Sequence, residues 1–219
     1  MPVPRVVVLV TRRLVRMDGT ISSCGFRSGD RFVVGAWTTS PVGATVDVMW
    51  AAPDGTRTLL APDDATAEFV TSVYRFDRVL VVPVAAIATP TSLELTAGTL
   101  DLHLRTARPA LRLPPRPLWF TRWVERPGAW ALMGVRTWGT SPTGVQEWYQ
   151  ARACRFVNEA RARIDGADLG SMAPLRPACG FGFSESPARP SIVEVRPTLG
   201  VPEGWLQARS PRTTAAAYW

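Results

Sequence analysis

"WTTSPVG" at residues 37–43 and "WGTSPTG" at residues 138–144 are nearly one phrase written twice, 101 residues apart (37 to 138). Serine, proline and glycine at these places make a turn. Proline presets its own φ, and glycine accepts the positive φ that tight turns require. A strand precedes each turn and another follows, so the phrase reads as a strand-terminating turn rather than a ligand loop. Two further landmarks keep the same order. "PDGTRTLLAP" (53–62) is echoed by "IDGADLGSMAP" (164–174), and "VLVVPV" (79–84) by "IVEVRP" (192–197). A growing offset between ordered landmarks is what duplication followed by loop insertion leaves behind. The fold expected is mainly β: two duplicated β-rich halves forming one antiparallel barrel or sandwich, with one or two short helices.

Local patterns fill in the halves. "RFVVGAWTTS" (31–40) is a strand. "TVDVMWAA" (45–52) alternates Val46, Val48 and Trp50 against Asp47 and Met49, which predicts a half-buried strand. "PDG" then turns a hairpin. "DDATAEFVTSVY" (63–74) places Ala67, Val70 and Tyr74 at helical spacing, with Asp63 or Asp64 as N-cap. Segments 77–87 and 93–106 return to strands. In the second half, 129–141 is a strand. The stretch 145–170 reads as a long hairpin or a helix, and Asp165-Gly166 favours the hairpin. "GFGFSES" (180–186) and "SIVEVRP" (191–197) close the unit.

The organisation expected is a basic N-terminal strand or arm (1–29), a first β-rich repeat (30–105), a Pro/Arg/Trp connector (106–127), a second repeat (128–199) and a loose tail (200–219). Prolines forbid a helix across 109–117. Charge follows this division. The chain of 219 residues carries +7, and all 25 basic residues are arginine, a usage typical of GC-rich genomes. Residues 1–29 carry five arginines against Asp18, and 105–127 carry six against Glu125. Residues 30–104 carry four arginines against nine acids. An acidic first half argues against a nucleic-acid-coating protein. Without lysine there is neither a Schiff base nor a P-loop.

Cys24, Cys154 and Cys179 are far apart, and the single histidine is His103. That spacing suggests neither disulfides nor a zinc site, and no metal or cofactor is expected. Free thiols and the lack of a long apolar run point to a cytoplasmic protein. Histidine-dependent catalysis would have to use His103, which faces away from Leu102 and Leu104 on a strand and beside Asp101 and Arg105. A carboxylate site at Asp63-Asp64 competes with helix capping.

One pattern points toward a ligand. An acid and aromatics follow each TSPxG turn: Asp47 and Trp50 in the first half, Glu147, Trp148 and Tyr149 in the second. Across a pseudo-twofold these would line one cavity, with Glu185 a third acid nearby. The competing reading has the acids in solvent and the aromatics in the core. The connector offers Trp119, Arg122, Trp123 and Arg126. They could face a membrane surface or an acidic partner, or strap over the core. The function expected is non-catalytic binding of a small, largely apolar ligand between the halves. A cofactor-independent enzyme using the same carboxylates, and an interaction module working through 105–127, are the alternatives.

Overall fold

A computed structural model describes residues 12–107, 109–114, 117, 138–141, 143–182, 185–202 and 205. The connector residues Trp119, Arg122, Trp123 and Arg126, and the expected strand from 129 as far as 137, lie outside the described residues.

The chain is mainly β and layered as a sandwich. Among the described residues the central layer has nine strands. In spatial order, eight of them are β10 (Leu111–Arg112), β13 (Ala151–Phe156), β17 (Ser191–Val195), β2 (Asp18–Phe26), β3 (Arg31–Thr39), β4 (Thr45–Ala51), β5 (Arg57–Ala61) and β6 (Arg78–Val81). The ninth, β16 (Met172–Ala173), pairs with the end of β2. A five-stranded sheet covers one face. It runs β15 (Ala167–Asp168), β14 (Glu159–Ile164), β9 (Leu100–Arg105), β8 (Ser92–Ala97), β7 (Val84–Ala88). A four-stranded sheet lies toward the other face: β1 (Arg12–Arg16), β18 (Thr198–Pro202), β12 (Gln146–Trp148), β11 (Trp138–Thr140). Among the described residues no sheet closes into a barrel.

The two faces of the central sheet feed different cores. Phe32, Val34, Val48 and Ile192 pack against Leu93, Leu95, Leu102 and Leu104 of the five-stranded sheet. On the opposite face Leu59 packs with Phe69, Val70 and Val73 of helix α1 (Asp64–Val73) and with Leu199. The helix has a topological reason. β5 and β6 run parallel, and parallel neighbours need a crossover. Asp63 is its N-cap, accepting from Thr66 N–H at 2.7 Å. Asp63→Ala is expected to lower stability by about 1 kcal/mol, read as a small drop in Tm.

Both TSPxG phrases are the same hairpin turn. Gly43 (φ 92°) closes β3–β4 with its N–H on the Ser40 carbonyl at 3.1 Å. Gly144 (φ 88°) closes β11–β12 with its N–H on the Ser141 carbonyl at 2.9 Å. Beyond the turns the two stretches diverge. β3, β4 and β5 are neighbours in one sheet, whereas β12, β13 and β14 fall in three. The segment 145–170 contains no helix, and its long hairpin is replaced by a sheet switch. β13 and β14 do not pair with each other. Between them Val157 N–H reaches the Pro190 carbonyl and Asn158 N–H the Arg105 carbonyl. The hairpin present is the short β14–β15 one, turned by Asp165 (φ 51°) and Gly166 (φ 78°). Residues 12–29 of the basic N-terminal stretch are also built in. β2 lies between β17 and β3, and β1 pairs with β18.

Candidate functional site

β4 places Val46, Val48 and Trp50 on one face and Asp47, Met49 and Ala51 on the other. Both faces are covered, so Asp47 is buried within the sandwich. Its partner is Trp37, whose indole Nε1–H donates to Asp47 Oδ1 at 2.9 Å. The pair lies across Gly35, which sits opposite Asp47 in the ladder. A Cβ there would stand 2.6 Å from Trp37 Nε1 and 2.7 Å from Asp47 Oδ1, so the bare Cα makes the contact possible.

Glu147, on β12, is fully buried. Tyr74, the C-cap of α1, donates its hydroxyl to Glu147 Oε2 at 3.1 Å and also touches the Tyr149 hydroxyl. Among the described residues Glu147 Oε1 has no hydrogen-bond partner. The groups that donate to the two acids, Trp37 to Asp47 and Tyr74 and Tyr149 to Glu147, are neutral. Burial therefore raises Asp47 to about 7, against the lowering effect of Trp37. Burial likewise raises Glu147 to about 8, against its hydrogen bonds from Tyr74 and Tyr149. Both tyrosines are pushed well above their ordinary value, by burial first and by Glu147 next.

The structure thus brings Asp47, Glu147 and Tyr149 toward one polar cluster and adds Trp37 and Tyr74. Neither acid faces solvent. Trp37 was legible only as part of a turn motif, and Tyr74 only as a helix position. The remaining residues lie elsewhere. Trp50 points to the opposite face of β4, stacks on Phe32 (6.2 Å between centroids, 22°) and donates to Asp30 Oδ1 at 2.8 Å. Trp148 lies against Gly200 of β18. Glu185 accepts from Cys179 N–H and Gly180 N–H, both at 2.9 Å, and so braces its own loop. His103 is exposed on β9, between Glu94 and Arg161 in register. Among the described residues no group of three His, Cys, Asp or Glu side chains could hold a metal ion.

The cavity beside Asp47, Tyr74 and Tyr149 measures about 40 Å³. That is room for water but not for an organic ligand, whose sites run to roughly 300–1,000 Å³. A second concavity, about 780 Å³, is an open groove. Its floor includes a single cross-strand row of the central sheet, Val46–Ala36–Thr20–Glu194, with Arg152 of β13 beyond. One wall is β7, through Val84, Ala86 and Ala88. Farther along the same strands Val48, Val34 and Ile192 are covered by the five-stranded sheet. The groove is therefore the strip that this sheet leaves bare.

The class defined so far is a layered β-sandwich with a sealed acid–tyrosine cluster and a ligand-sized surface groove. A scan against models of known protein families finds no match to this chain, and neither does a comparison with curated proteins.

Proposed function

We propose that this protein is a non-catalytic binding module that holds a largely apolar ligand in the groove between β7 and the bare strip of the central sheet. One observation carries the reading: the groove has the volume of a ligand site, while the cavity at the buried acids does not. Alanines in the lining (Ala44, Ala86, Ala88) leave room for apolar groups of a ligand, and Thr20, Glu194 and Arg152 supply polar contacts.

An enzyme acting through Asp47 and Glu147 is supported less. Their titration in the neutral range suits acid–base work, but a substrate would have to open the core to reach them. The proposal places the protein in a reducing compartment such as the cytoplasm, where Cys24, Cys154 and Cys179, all buried and free, stay thiols. Among the described residues no helix is long and apolar enough to cross a membrane. An internal duplication remains part of the proposal on the strength of the shared TSPxG hairpin.

The test is native mass spectrometry of protein purified from a GC-rich host, beside the Ala88→Trp variant. Ala88 is exposed on the groove wall, so a large side chain fills the groove without entering the core. The expected result is a discrete adduct on the wild type that falls at least tenfold in Ala88→Trp. An adduct unchanged by the substitution would place the ligand elsewhere.

A further inference from the structure

The groove has a backbone feature that a small molecule would leave unused. Among the described residues β7 pairs only with β8, so its other edge has no strand beside it. That edge flanks the groove. An unpaired strand edge presents N–H and C=O groups at regular spacing, and only another extended backbone satisfies them as a set.

The dimensions agree. The floor row spans four strands, and Arg152 makes a fifth; at about 4.8 Å between strands this is roughly 19 Å. β7 is five residues long, which at about 3.3 Å per residue is roughly 17 Å. A five- or six-residue extended segment laid beside β7 would run the length of its open edge, along the part of the groove lined by Val84, Ala86 and Ala88. Its inward side chains would face a floor that includes Val46, Ala36, Thr20 and Glu194.

Charge adds a preference. The ionic groups of the lining are Asp18, Asp63 and Glu194 against Arg152, an acidic balance on a chain of net charge +7. Asp18 and Glu194 are already engaged by Arg196 and Arg155, both at 2.6 Å, so backbone pairing and shape contribute more than charge.

Resting on the groove reading above, we infer that the ligand is an extended polypeptide segment. It adds to β7 as a sixth strand of the five-stranded sheet, with apolar side chains on alternate positions and a basic rather than an acidic residue at one end. A second whole copy of this chain fits less well, because the bare strip is about one strand wide and a sandwich edge brings two layers.

The experiment is selection of a phage-displayed random octapeptide library on the wild-type chain, with depletion against Ala88→Trp. Ala44→Trp, exposed in the groove lining outside β7, is the second variant in case the first perturbs β7. Selected peptides are synthesised with and without N-methylation of alternate backbone amides, and binding is followed by NMR. The expected result has three parts: amides of 84–88 are protected on binding, N-methylated peptides bind at least tenfold more weakly, and both tryptophan variants lose binding. Equal binding of N-methylated peptides, or binding in the groove without protection of 84–88, would overturn strand addition and leave the groove reading intact. No enrichment over the variants would also overturn strand addition. The groove reading would then stand or fall separately on the Ala88→Trp-sensitive adduct.

Discussion

Raising the pH from about 4 to about 8 is expected to destabilise this protein steadily, by several kcal/mol, and the Asp47→Asn/Glu147→Gln variant is expected to resist. Asp47 titrates at about 7 in the fold against 3.8 ordinarily, and Glu147 at about 8 against 4.5. Folded pKa values raised above unfolded ones mean that the folded state holds more protons between the two. Stability is then greatest at or below the unfolded values, falls as pH climbs, and levels off above the folded values. Each carboxyl accounts for on the order of 4 kcal/mol, large beside a typical net stability of about 5–15 kcal/mol. Asp54 and Asp77, held low by hydrogen bonds to Thr56 and Arg57, act in the opposite sense, and only at more acid pH. Asparagine and glutamine keep an acceptor for Trp37 and Tyr74 but cannot ionise. Denaturant titrations at pH 5 and 8.5 check this. Wild type should lose stability across the interval, and the double variant should lose much less and be the more stable of the two at pH 8.5.

Arg31→Met should cost about 3 kcal/mol or more and loosen the loop around 176–182. Arg31 is buried on β3 and donates to four backbone carbonyls. Its guanidinium donates to Gly29 O at 3.2 Å, to Pro177 O at 2.7 Å, to Ala178 O at 3.4 Å and to Ala52 O at 2.9 Å. Methionine keeps the stem's volume and leaves those acceptors unmatched in a site closed to water, at about 1–3 kcal/mol for each group that stays buried. Hydrogen exchange should then rise in 176–182, which Arg31 ties to the central sheet. A variant as stable as wild type, with unchanged exchange, would show that the clamp carries no weight.

Much of the strand layout was legible because turn chemistry is local. Ser-Pro-x-Gly, Pro-Asp-Gly and Asp165-Gly166 each turn a hairpin, and Asp63 caps the helix, for reasons contained in a few adjacent residues. Which strands share a sheet was not legible. β13 and β14 are continuous in sequence, yet they part at Val157–Asn158 because each finds a better partner, β17 and β9. The alternation of β4 was visible, but alternation alone reads as one wet face. Asp47 is buried because α1 and the four-stranded sheet lie on that side, and long-range packing decides that. Asp47, Glu147 and Tyr149 could be picked out from their place after the repeated turn. Tyr74 could not, since its hydroxyl meets Glu147 across 73 positions of sequence. The groove left no trace in sequence: Ala85, Ala86 and Ala88 look like a weak strand, and an unpaired edge is a property of the assembled sheets.

The most direct test of the central claim is hydrogen–deuterium exchange mass spectrometry on the protein as purified with its adduct, and again after the adduct has been released and the chain refolded. If the groove binds the ligand, the segments that exchange faster after release are 84–90 on the wall and 36–46 on the floor, and Ala88→Trp shows no difference between the two preparations. Protection confined to other segments, or a difference that persists in Ala88→Trp, would contradict the account.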